Sequence, residues 1–137
     1  AGVAHGMYGE DFVATLAGHL AERARLGGGQ IDGHYYCPHS PDAAVPKYRT
    51  DCECRKPKPG MAWRAAEDLG IDLRRSVVIG DRWRDIAVAR AVGCRGILVK
   101  TGYGATEAIR PQPGLSADAV CEDLIGAAVW LLDHAEP

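Results

Sequence analysis

Three observations predict an α/β fold, a Rossmann-like parallel sheet with flanking helices. Two short apolar runs, Ser76-Val77-Val78-Ile79-Gly80 and Ile97-Leu98-Val99, are bounded by turn residues, as strands buried on both faces are. They alternate with segments whose apolar residues recur at helical spacing, and parallel strands need such crossovers. The chain has 137 residues and is 47% hydrophobic, enough for one core, so a single domain over residues 1–137 is expected.

Glu10 and Asp11 open the first helical pattern, in which Phe12, Leu16 and Leu20 recur every fourth residue until Gly27-Gly28-Gly29 stops it. A helix is expected over 9–26. Residues 31–37, with Tyr35-Tyr36, read as a strand that delivers Cys37 into a loop rich in proline. Pro59 suits the first turn of a helix over 59–69 that ends at Gly70. A strand over 76–80 leads to Asp81, followed by a helix over 84–92 that stops at Gly93. A third strand is expected over 96–100. The glycines and prolines of 102–114 indicate loop, and the apolar pattern of 117–134 indicates one closing helix.

Sixteen basic and eighteen acidic residues leave a net charge of -2, so no global basic field draws nucleic acid. Any anion site must be local. No apolar run approaches the roughly 20 residues of a membrane span, and the N-terminus has no signal-peptide pattern, so no membrane partner and a cytoplasmic location are expected. Three of the five cysteines fall in tight clusters while Cys94 and Cys121 lie among apolar residues, which favours metal binding plus two reduced thiols over a disulfide framework.

The clusters carry the chemistry. Cys37-Pro38-His39 and Cys52-Glu53-Cys54 are separated by twelve residues, and thiolate and imidazole ligands in two short pairs can close a tetrahedron around Zn²⁺. Arg55 and Lys56 follow at once, so a metal clip would position two cations for an anionic substrate. Farther on, Gly80-Asp81-Arg82-Trp83-Arg84-Asp85 sets two carboxylates four apart at a strand-to-helix junction. They suit Mg²⁺ together with a substrate phosphate, or else Asp81 caps the helix and Asp85 pairs with an arginine. The zinc loop, Arg55-Lys56 and Asp81 all follow strands, and ligands of such sheets bind at the carboxyl ends.

Tyr35-Tyr36-Cys37-Pro38-His39, Cys52-Glu53-Cys54-Arg55-Lys56-Pro57, Pro59-Gly60-Met61 and Ile79-Gly80-Asp81 together resemble the haloacid dehalogenase-like phosphatases. The resemblance is to the branch that contains heptose 1,7-bisphosphate 7-phosphatases and histidinol phosphate phosphatases. It implies a Mg²⁺-dependent phosphatase acting on a small phosphorylated substrate, heptose bisphosphate first and histidinol phosphate second. It further implies a structural Zn²⁺ on Cys37, His39, Cys52 and Cys54. By the same resemblance Arg55 recognises the sugar phosphate, Lys56 stabilises the transferring phosphoryl group, Asp81 binds Mg²⁺ and Arg82 contacts substrate. A lysine and a Mg²⁺ site converging on one phosphate agree with the physics of phosphoryl transfer, which is mostly positioning and charge neutralisation.

The chain departs from the family in one respect that matters. Members carry an Asp-x-Asp-Gly motif after their first strand, which supplies the nucleophile and the general acid/base, and no such motif occurs in these 137 residues. The resemblance therefore implies a C-terminal portion, with the first strands missing and the isolated chain inactive. Its sheet would have a gap between the strand ending at Cys37 and the strand ending at Gly80, to be filled by rearrangement, by a partner chain or by an N-terminal segment. A different class of function is a non-catalytic zinc-stabilised module that binds a phosphorylated ligand or a protein through Arg55, Lys56 and Arg82.

Overall fold

A computed structural model describes residues 2–134. Helix α1 spans Glu10–Leu26, α2 Gly60–Leu69 and α3 Trp83–Val92, with strand β1, Val77–Gly80, between the last two. Strand β2 spans Arg95–Val99, α4 Gly104–Ala108, β3 Ala119–Cys121 and α5 Leu124–Asp133. The three strands form one parallel sheet in the order β1-β2-β3. Val77 pairs with Arg95 and Ile97 with Ala119.

Strand β2 organises this half of the molecule. Because side chains alternate across a strand, Leu98 points to one face with Trp83 and Ile86 of α3, while Ile97 and Val99 point to the other with Ala127 of α5. Ile97, Leu98 and Ile86 are fully buried. A sheet covered by helices on both faces needs the near-continuous apolar runs that the sequence shows here.

Two expectations require correction. Residues 31–37 are extended, but among the described residues they join no ladder, and β1 pairs only with β2. The sheet does not rearrange to close the gap on that side. An apolar, aromatic-rich segment has strand character only when a neighbour supplies its hydrogen bonds, and none is supplied here.

The expected helix over 117–134 is in fact a strand, a turn and a helix. Asp118 accepts a hydrogen bond from the Gly96 amide at 2.6 Å and an ion pair from Arg90 at 3.1 Å, which bring Ala119–Cys121 alongside β2. Asp123 then caps α5 by accepting from the Gly126 amide at 2.8 Å. A three-residue apolar run cannot be told from a helix turn by periodicity alone, so pairing decided it. The expected loop over 102–114 also contains the short helix α4.

Helix α1 forms where its pattern places it, yet none of its residues is buried. Phe12, Leu16 and Leu20 stay 52%, 45% and 48% exposed. The segment before α1 contributes Val3 and Ala4 to a small separate cluster with Ala43 and Tyr48, beneath the cysteine-bearing loop.

Candidate metal centre and phosphate site

Cys37 stands at the end of the extended segment, and a 3-10 turn at Pro46–Tyr48 folds the following loop back on itself. The Ser40 amide donates to the Tyr48 carbonyl at 3.0 Å, and the Arg49 side chain donates to the Ala43 carbonyl at 2.9 Å. Tyr48 lies tilted against the His39 ring, and its hydroxyl donates to Glu10 of α1 at 2.5 Å. These contacts return the chain so that Cys52 and Cys54 face Cys37 and His39.

The ligand atoms of Cys37, His39, Cys52 and Cys54 all lie within 4.8 Å of one another. The sulfurs are 3.4 Å apart for Cys37 and Cys52, 2.9 Å for Cys52 and Cys54, and 2.8 Å for Cys54 and Cys37. Nδ1 of His39 is 3.4 Å from the Cys54 sulfur. These separations are too long for disulfide sulfurs, at about 2.05 Å, and shorter than the roughly 3.8 Å between thiolates that share one Zn²⁺ at about 2.3 Å each. The cysteines are free thiols. Three sulfurs and one ring nitrogen converging on one point fit a closed tetrahedral Zn²⁺ shell, with no position left open for a reactant.

Burial pushes the Cys52 thiol up, but hydrogen bonds involving Cys54, Cys37 and His39 outweigh it and bring it down to about 7. Burial, together with the neighbouring sulfurs, pushes Cys54 up.

Arg55 leaves this loop with its guanidinium anchored, as Nη1 donates to the His39 carbonyl at 2.9 Å. The same residue that offers a ring nitrogen to the metal cluster therefore also aims the arginine. Lys56 reaches the opposite element: its Nζ lies 2.7 Å from Oδ1 of Asp85 on α3. Lys58, two residues on, is held by Asp51 and Glu53 at 2.8 and 3.2 Å. The Lys56–Pro57 peptide is cis.

Asp85 is 5% exposed and doubly engaged, since its Oδ2 accepts from the Arg82 amide at 3.1 Å and closes the first turn of α3. Removing Lys56 would leave a buried carboxylate without its countercharge. Gly80 is required here by close approach, because a Cβ on it would meet the Asp85 Cβ at 2.3 Å. Of the two readings of Asp85 open in the sequence, pairing prevails, and the partner is Lys56 where an arginine was expected.

Asp81 follows β1 directly, and its Oδ2 accepts from the Tyr103 amide at 2.9 Å. The loop after β2 is bent to permit this by Gly102, at φ 62°, where a Cβ would lie 2.3 Å from the same oxygen. Asp81 is not the helix cap; Arg82 occupies that position. The Arg82 guanidinium lies 3.6 Å over the Tyr103 ring, on the Asp81 side of the junction. Lys56 and Asp81 thus come to the same end of β1 through Asp85 and Arg82.

A cleft of about 250 Å³ opens beside the pair, lined by Tyr35, Tyr36, Cys37, Arg55, Lys56, Met61 and Arg84. Arg82 and Asp81 are not in its lining. Sequence reasoning did not single out Tyr35, Tyr36, Met61 or Arg84 as site residues, although the first three stand in the motifs that carry the family resemblance and Arg84 stands between Asp81 and Asp85. Glu107 also went unread: its carboxylate and carbonyl accept from the Trp83 amide and indole at 3.1 and 2.9 Å, locking the start of α3 to α4.

A family model described as HAD-hydrolase-like matches residues 53–127. D-glycero-beta-D-manno-heptose-1,7-bisphosphate 7-phosphatase of Vibrio cholerae is 39% identical over 107 residues, which are 77% of this chain and 58% of the relative. The enzyme of the same name from Pseudomonas aeruginosa is 37% identical over 131 residues, 96% of this chain and 68% of the relative. A crystal structure of D,D-heptose 1,7-bisphosphate phosphatase from B. bronchiseptica, complexed with magnesium and phosphate, superposes with a TM-score of 0.81 at 33% identity, covering 98% of this chain and 70% of that one. The chain spans a little under three fifths of the Vibrio cholerae relative's length.

Proposed function

The chain belongs to the haloacid dehalogenase-like hydrolase family, and on that premise we propose that it forms the phosphate-neutralising part of a Mg²⁺-dependent phosphatase acting on heptose 1,7-bisphosphate. The observation that carries this reading is the Lys56–Asp85 pair at 2.7 Å, set beside Asp81 at the carboxyl end of β1. It leaves a fixed ammonium and a fixed carboxylate side by side at the place where open α/β sheets bind ligands.

In this reading Lys56 meets the transferring phosphoryl oxygens, and Asp85 holds its Nζ in place without touching the substrate. Of the two carboxylates at this junction, Asp81 is the one left for Mg²⁺, because Asp85 is engaged by Lys56 and the Arg82 amide. A single carboxylate suits a cation that keeps several waters and takes its remaining oxygens from the substrate phosphate. Bound Mg²⁺ would supply charge neutralisation on that phosphate. The four protein ligands of the Cys/His cluster would hold Zn²⁺ structurally and, through the His39 carbonyl, keep Arg55 aimed at the ligand. Arg82, stacked on Tyr103, stands on the Mg²⁺ side of the substrate.

The family's nucleophilic and acid/base aspartates are not among these 137 residues, so residues outside this stretch must supply them. The test is hydrolysis of a panel of phosphomonoesters by a protein extended upstream through an Asp-x-Asp-Gly segment, against the 137-residue chain alone. The extended protein should release phosphate from heptose 1,7-bisphosphate with Mg²⁺, and faster than from histidinol phosphate. The short chain should release none. A silent extended protein that still binds phosphorylated ligands would favour the non-catalytic module.

A further inference from the structure

We propose that Arg84 is a specificity-determining residue that makes the cleft prefer a substrate with a second anionic group over a simple phosphomonoester. The proposal rests on the phosphatase reading above and deepens it. Three of the cleft's lining residues are cations, Arg55, Lys56 and Arg84, and none is a carboxylate. Arg84 is exposed, so water solvates these charges in the free protein, and together they give the cleft a local positive potential that attracts anions.

The three cations are not equivalent. Lys56 is matched by buried Asp85 and faces the reacting phosphate. Arg55 and Arg84 have no carboxylate within ion-pair distance among the described residues, and Arg55 commits only Nη1, to a backbone carbonyl. Arg55 is balanced only in part, by the more distant Asp42, so the two guanidinium groups answer the charge of about -1.5 to -2 that a second phosphate carries near neutral pH. Their planar forks also suit phosphate oxygens in paired contacts.

Position supports the assignment. Arg84 is the second residue of α3 and immediately precedes Asp85, so the turn that holds Lys56 also presents Arg84 to the cleft. Arg55 reaches the same cleft from the cysteine loop. The walls between them, Tyr35, Tyr36 and Met61, can pack against a carbon skeleton that separates two anionic ends. Arg82, the other arginine of this turn, lies on Tyr103 outside the lining.

The test is titration calorimetry on the full-length protein with heptose 1,7-bisphosphate and heptose 7-phosphate, without Mg²⁺ so that binding is read apart from turnover. Arg84→Gln should lower the affinity ratio of bisphosphate to monophosphate by about tenfold or more, the size of a lost charge-assisted contact, and Arg84→Lys by about threefold. Arg74→Gln, on an exposed turn outside the cleft, serves as the control for charge removal. An unchanged ratio in folded Arg84→Gln, equal weakening of both ligands, or no preference in the parent protein would each overturn the proposal. If the parent binds the bisphosphate preferentially but hydrolyses no phosphomonoester, the phosphatase reading fails while the ratio still decides the role of Arg84.

Discussion

The sheet half and the cysteine-loop half of this molecule are held together by different physics. From β1 to α5, stability comes from burial: Ile97 and Leu98 are fully enclosed between α3 on one face and α5 on the other. From α1 to Lys56 there is little to bury, and α1 has no buried residue. There the chain is tied by four potential metal ligands, a small cluster around Tyr48, and Glu10 accepting from both Tyr36 and Tyr48. The proposed phosphate site lies where the halves meet, because Lys56 comes from the loop and Asp85 from the sheet half. A densely packed partner thus fixes the carboxylates, while the loop that bears the four potential metal ligands delivers the cations.

Metal removal should break this contrast most strongly. Structural Zn²⁺ sites are worth on the order of 10–16 kcal/mol in small domains, so chelation should open residues 37–56 to protease while the sheet half stays protected. Hydrogen exchange of the two halves before and after chelation checks this, together with elemental analysis finding one zinc per chain. Uniform protection throughout would mean that the loop does not depend on metal.

The reciprocal perturbation is Ile97→Ala, which removes a fully buried side chain from the sheet half. It should cost about 2–5 kcal/mol in denaturant unfolding yet leave the zinc stoichiometry unchanged. At the junction, Lys56→Ala in the extended enzyme should lower turnover by roughly 10²–10³, as loss of a preorganised charge donor does. Lys58→Ala, which loses only exposed ion pairs with Asp51 and Glu53, should cost at most about 1 kcal/mol in stability and leave turnover near the parent value. Equal turnover losses from the two lysines would separate Lys56 from the phosphate site.

The smallest expected effect is a pH dependence confined to the sheet half. Burial pushes Asp118 up, but the hydrogen bond from the Gly96 amide and the Arg90 guanidinium outweigh it and hold its carboxyl below the usual range. A carboxylate whose folded pKa is depressed adds stability above its unfolded pKa and loses it as pH falls through the folded value. Asp118→Asn should therefore lose about 1 kcal/mol near neutrality and flatten the acid side of the stability curve below about pH 4. An unchanged acid limb would show that another group carries it.

Sequence alone determined what local chemistry can determine. Buried strands at Val77–Gly80 and Arg95–Val99 announce themselves as short apolar runs, because a strand covered on both faces has no polar alternation to hide in. Cys37, His39, Cys52 and Cys54 were legible as a ligand set because close spacing in sequence leaves little freedom in space. The placement of Asp81 after a strand likewise followed from the geometry of parallel sheets.

Tertiary structure decided whatever depends on a partner distant in sequence. Residues 31–37 have the composition of a strand but no neighbour to bond, whereas Ala119–Cys121, with weaker composition, became one because Asp118 reaches Gly96. Asp85 could have been a metal ligand or the partner of an arginine by its spacing; only the meeting of the cysteine loop with α3 gave it Lys56. Arg84 lines the cleft while Arg82 lies over Tyr103 of the loop after β2, a difference their neighbouring positions in sequence do not disclose. Neighbours on a helix are set by its period, but contacts across the molecule are set by which surfaces meet, and one chain read in order does not contain that information.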